Sequence, residues 1–142
     1  MIVPMMMRRG ALAALVLLAG LVAGCEENPA QPAPDPYPHL PQIIEECETN
    51  TAEVCGTWTR IRNTNLYNAL WSQGSRALIT AERFDAGGIV FTREDFAGPT
   101  PAMRARYEGE LTGNTVVGGM VVWTDRGVTI DGTWHAEWVS ED

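Results

Sequence analysis

Between Met103 and Leu111 the chain alternates strictly. Met103, Ala105, Tyr107, Gly109 and Leu111 hold the odd positions, and Arg104, Arg106, Glu108 and Glu110 the even ones. Period-2 alternation buries one face of a β-strand and wets the other. The same rule returns near the C-terminus, with Ile130, Gly132, Trp134, Ala136 and Trp138 on one face and His135 and Glu137 on the other. Between these segments, Gly, Asn and Asp breaks recur about every ten residues, separated by β-branched and aromatic residues. They delimit strand candidates at 55–62, 66–71, 76–84, 89–96, 103–111, 115–123 and 128–139. Thr112-Gly113-Asn114 supplies a tight turn, so 103–111 and 115–123 are expected to form a hairpin. Short turns without helices predict an all-β fold: an antiparallel meander of about seven strands, forming a small barrel or a sandwich.

Upstream the pattern changes. Residues 25–42 carry Pro29, Pro32, Pro34, Pro36, Pro38 and Pro41. Proline at this density blocks helix and sheet pairing and favours an extended tether, at most roughly 50 Å long at 3.1 Å per residue. The acidic segment Ile43–Thr51 predicts one helical turn at most, so the β-domain is expected to span 43–142.

Residues 1–24 have the layout of a secretion signal: Arg8-Arg9, an apolar run, then small residues. The run from Gly10 to Ala23 is 14 residues, short of the roughly 20 that cross a bilayer. The residues after Arg8-Arg9, Gly10-Ala11-Leu12, match twin-arginine export poorly, so general secretion is expected. Leu21-Val22-Ala23-Gly24-Cys25 resembles the lipobox of bacterial lipoproteins. That resemblance implies cleavage before Cys25, acylation of its sulfur and anchoring of the protein to a membrane at the cell envelope. Two or more acyl chains attach stably, at about 0.8 kcal/mol per buried CH₂. Glu26 is not the aspartate that resembles an inner-membrane retention signal, so the implied destination is the outer membrane.

Charge and cysteine count fit such a location. All ten basic residues are arginine, and after residues 1–24 are removed eight arginines face 18 carboxylates, a net charge of −10. An acidic chain without a basic cluster is a poor partner for nucleic acid. With Cys25 assigned to lipid, Cys47 and Cys55 remain as an even pair in an oxidising compartment. A disulfide closing this short loop would stabilise the fold by roughly 2–3 kcal/mol; the alternative is two buried thiols.

Catalytic motifs are absent. The sequence has no His-Glu-x-x-His, Gly-x-Ser-x-Gly, P-loop or dinucleotide-binding loop, and no cofactor or metal is expected. His135 is expected to face solvent, and Asp125 and Asp131 flank a turn, where aspartates usually satisfy backbone amides. The remaining candidates are binding residues. Trp71, beside Ser72-Gln73-Gly74, is placed for a rim contact. Arg83 and Arg93 continue the apolar registers of their strands. Either a β-bulge or strand end turns them outward, or they point inward to grip an anion or to pair with Glu82 or Asp95.

Gly56-Thr57-Trp58 opens the first strand candidate and Gly132-Thr133-Trp134 lies within the last. Gly-x-Trp at the start of a barrel resembles the signature of lipocalin and avidin-type barrels, which implies a tryptophan closing one barrel end. The longer pattern from Tyr67-Asn68-Ala69-Leu70-Trp71 through Tyr107 and Gly109 to Trp138 resembles β-domains of uncharacterised bacterial envelope proteins. It implies no activity. The expected function is non-catalytic binding of a small ligand or an envelope protein by a lipid-anchored β-domain; the alternative is a structural or accessory subunit without a pocket.

Overall fold

A computed structural model describes residues 32–95 and 103–138. Cys25, the signal segment 1–24 and the first part of the expected tether, 26–31, lie outside the described residues. The strands are β1 (Ile43–Thr49), β2 (Glu53–Arg60), β3 (Leu66–Trp71), β4 (Arg76–Asp85), β5 (Gly88–Asp95), β6 (Met103–Gly109), β7 (Leu111–Thr112), β8 (Thr115–Asp125) and β9 (Val128–Trp138). Each long strand pairs antiparallel with the next. β9 returns to β1, which closes the meander into an eight-stranded barrel, and the two-residue β7 adds to β8. Among the described residues, closure leaves no long unpaired sheet edge.

Ile43–Thr49 is a strand, not a helical turn. Ile44, Glu46 and Glu48 point inward while Ile43, Glu45 and Cys47 point outward. The alternation was hidden because two of the three inward positions are glutamates. The expected strand 103–111 divides into β6 and β7, and the turn at Gly113, with φ of 62°, sends the chain back as β8. β6 then pairs β8 from Met103↔Asp125 to Glu108↔Met120, as the hairpin pattern requires. A bulge between Val116 and Gly119 absorbs the extra residues, with Gly118 at φ of 67°.

The barrel is filled by aromatic rings. Trp58 stacks on Trp134 at 6.0 Å between ring centroids, and both meet Phe91 and Tyr107 edge-on. Such pairs contribute about 0.5–1.5 kcal/mol each beyond the area they bury. Missing side chains make the room. A Cβ on Gly119 would overlap the Trp134 indole, one on Gly132 would overlap Trp123, and one on Gly56 would stand 2.9 Å from Trp71 Cδ1.

One end of the barrel is sealed by the segment before β1. Arg60, buried at the end of β2, donates from Nε to the Thr64 carbonyl, from Nη1 to the Leu40 carbonyl and from Nη2 to Asp35. The Asp35 contact is 2.7 Å, and this hydrogen bond holds the Asp35 carboxyl below its usual range. Tyr67 Oη donates to the Pro41 carbonyl, and Leu40 is 4% exposed within the core. The extended tether therefore does not run to residue 42: the compact unit begins at Ala33. Trp58 lies one inward position above Arg60, and Arg60 and residues 35–41 lie across this end.

Candidate functional site

The opposite end is marked by the C-terminus of β5. Arg93 faces inward, opposite Ile79 on β4 and Ala105 on β6, and its side chain is 3% exposed. Its guanidinium is held on several sides. Nε and Nη2 donate in parallel to the two oxygens of Asp95, at 2.5 and 3.0 Å. Nη1 donates to Glu48 Oε1 at 3.1 Å and to Tyr107 Oη at 3.1 Å. Tyr107 in turn donates to Glu48 Oε2 at 2.7 Å. Below the plane lies Trp71, whose ring centroid is 3.7 Å from Arg93 Cζ.

Burial opposes the Arg93 charge, but the hydrogen bonds to Asp95 and Tyr107 and the charge of Glu48 outweigh it and raise its pKa. Burial also pushes Tyr107 well above its ordinary value, so the phenol keeps its proton as a donor. Removing one member of such a buried ion pair typically costs about 3–5 kcal/mol, because the other charge is left unpaired.

Two residues deeper on the inner face of β1, Glu46 is 2% exposed and neither oxygen has a hydrogen-bond partner. The indole N–H groups of Trp71 and Trp58 lie beside the carboxyl without reaching hydrogen-bond geometry, and both are themselves unpaired. Burial, reinforced by the charge of Glu48, raises the Glu46 pKa to about 8. At neutral pH the group is therefore a neutral carboxylic acid, the form a dry interior tolerates.

Above Arg93 the barrel opens into a cup of about 630 Å³. Among the described residues, its floor carries Glu48, Arg93 and Asp95, and its apolar wall Val54, Met103, Trp123 and Ile130. Asp125 and Ser75 line the rim, and Ser75 Oγ is shielded from water without a partner. Ile130 is the exception to the expected burial of its strand face. β9 pairs with β1 only as far as Thr133, so the far part of the β8–β9 hairpin continues beyond β1 and leaves Ile130 half-exposed over the cup.

The residues singled out from sequence separate here. Trp71 is not a rim contact: it is 1% exposed and serves as the platform under Arg93. Arg93 points inward and pairs with Asp95. Arg83 is turned outward by a bulge between Ala81 and Arg83 and takes no part, while Glu82 pairs with Arg106 on the outer wall. Cys47 and Cys55 are joined by a disulfide across the directly opposed pair of β1 and β2. Glu53 lies near these sulfurs, but their bond leaves no thiolate to ligate a metal. His135 faces outward as expected. Glu46, Glu48 and Tyr107 were not singled out beforehand. For the two glutamates, the signal was the inward face that Ile44 begins.

No family model matches this chain, and no curated protein or solved structure is significantly similar to it.

Proposed function

We propose that this chain is an exported protein of the cell envelope, anchored through acyl chains on Cys25, whose barrel binds a small ligand at its mouth without catalysing a reaction. The observation that carries the binding reading is the polarity of the barrel. One end is sealed by Arg60 and Leu40, and the other gathers charged and apolar side chains around a cup of about 630 Å³. That volume lies in the range of small-molecule sites. A non-catalytic role is supported by the floor, where Arg93, Glu48 and Asp95 satisfy one another and leave no free nucleophile or base. Anchoring is supported by the lipobox resemblance at Leu21–Cys25, and the Cys47–Cys55 disulfide suits an oxidising compartment. The outer membrane is the attachment this reading favours.

A second reading, an accessory subunit of an envelope complex, draws on Val117 and Met120. These stand on the outer wall of β8 at 79% and 59% exposure. Anchoring is tested by Cys25→Ser, which should abolish acyl labelling and membrane fractionation. Trp123→Ala and the pair Val117→Ser/Met120→Ser separate the other two readings. Loss of small-molecule binding only in the first supports the mouth; loss of envelope cross-links only in the second supports the accessory subunit.

A further inference from the structure

The chemistry of the cup narrows what it can hold. The positive group in its lining is already committed: five Arg93 hydrogen bonds go to Asp95, Glu48 and Tyr107, and one face of the guanidinium is covered by Trp71. An anion arriving at the mouth would have to displace buried carboxylates to reach it. Three carboxylates, Glu48, Asp95 and Asp125, line the cavity against that one guanidinium; Asp125 also meets the exposed Arg126 at 3.6 Å, so the net charge at the mouth is −1. The carboxylates of Glu48 and Asp95 retain 10% and 16% exposure, so their remaining lone pairs are accessible to a donor.

Ser75 Oγ lines the cup with no hydrogen bond of its own. The apolar side is equally defined. Trp123, Met103 and Ile130 form a wall beside the acidic floor, and an indole favours a cation near its face.

Resting on the mouth-binding reading, we propose that the cup takes an organic cation with an apolar body, a primary alkyl- or arylalkylammonium ion. Its ammonium donates to the Asp95, Glu48 and Asp125 carboxylates, and its hydrocarbon part lies on Trp123, Met103 and Ile130.

Calorimetric titration of the purified full chain at low ionic strength tests this with three probes of similar size: 2-phenylethylammonium, 2-phenylethanol and 3-phenylpropanoate. The cation should bind at least tenfold more tightly than the alcohol, the carboxylate should not bind, and the preference should shrink as salt is added. Asp125→Asn, at an exposed position, should weaken the cation roughly three- to tenfold and leave the alcohol unchanged. Equal binding of cation and alcohol, or preference for the carboxylate, would overturn the cation assignment while leaving the mouth as a binding site. No binding of any probe at millimolar concentration to protein with an intact near-UV dichroism spectrum would overturn both.

Discussion

Arg93 and Trp71 form a stacked cation–π pair inside the barrel, with Cζ 3.7 Å from the ring centroid and both side chains removed from water. Desolvated pairs of this kind contribute about 2 kcal/mol or more. Here the ring also fixes the plane in which Arg93 meets Asp95, so the floor of the mouth is assembled from β1, β3, β5 and β6 at once.

Arg93→Met should therefore destabilise the barrel by about 3–5 kcal/mol, since it strands the Glu48 carboxylate in a buried site. Adding Glu48→Leu should recover part of that loss, because only Asp95, the more exposed of the two carboxylates, is then left without its partner. Urea unfolding of both variants measures this. A single-variant cost below about 1 kcal/mol, or no recovery in the double variant, would refute the role given to the pair.

Glu46 makes stability depend on pH with a sign opposite to that of a salt-bridged carboxylate. In the folded barrel it keeps its proton to about pH 8, whereas its ordinary value is 4.5. Between these values the folded state binds more protons than the unfolded chain, so each rise in pH favours unfolding. The contribution is complete below pH 4.5 and is lost as pH rises through 8. The decline should total a few kcal/mol, with a slope of at most about 1.4 kcal/mol per pH unit. Glu46→Gln should flatten it, making the variant less pH-sensitive and relatively more stable at pH 8 than at pH 5. Denaturant midpoints at pH 5, 6.5 and 8 give the comparison, and parallel pH dependences in the two proteins would remove Glu46 as the cause.

The sealed end sets where the folded unit can be cut. A chain beginning at Ala33 should unfold at the same denaturant concentration as the longer one, because it retains Asp35, Leu40 and Pro41. A chain beginning at Ile43 loses the Leu40 packing and two of the partners of buried Arg60. It should lose at least about 3 kcal/mol or fail to fold. Equal midpoints for the two chains would show that residues 35–41 only rest on the surface.

Much of the fold was legible because most strands obey one rule. Tyr107 and Ala105 alternate with Arg104 and Arg106, and turns carrying Gly74, Gly113 and Gly127 separate the strands. Barrel was not separable from sandwich, because the decision rests on the β1–β9 pairing, which joins segments far apart in the chain. Arg83 and Arg93 show how a local irregularity divides like cases. Both continue an apolar register, and one bulge sends Arg83 to solvent while Arg93 stays inside. Glu46 and Glu48 escaped notice for a related reason. Glutamate at alternate positions looks like a solvated face; Arg93 and Tyr107 across the barrel hold Glu48 inside, and Glu46 is buried with its proton on.

Strand parity has a practical consequence. With eight strands around the barrel, β1 begins and β9 ends side by side, at Ile44 opposite Trp138, and both belong to the plugged end. The covalent traffic of the folded barrel thus enters and leaves at one pole, and the other pole carries the β1–β2, β3–β4 and β8–β9 connections. Those connections are free to vary in length and composition without disturbing how the chain is attached or how its interior is packed. New specificity at the mouth can arise by changing a few loop residues on an unchanged frame.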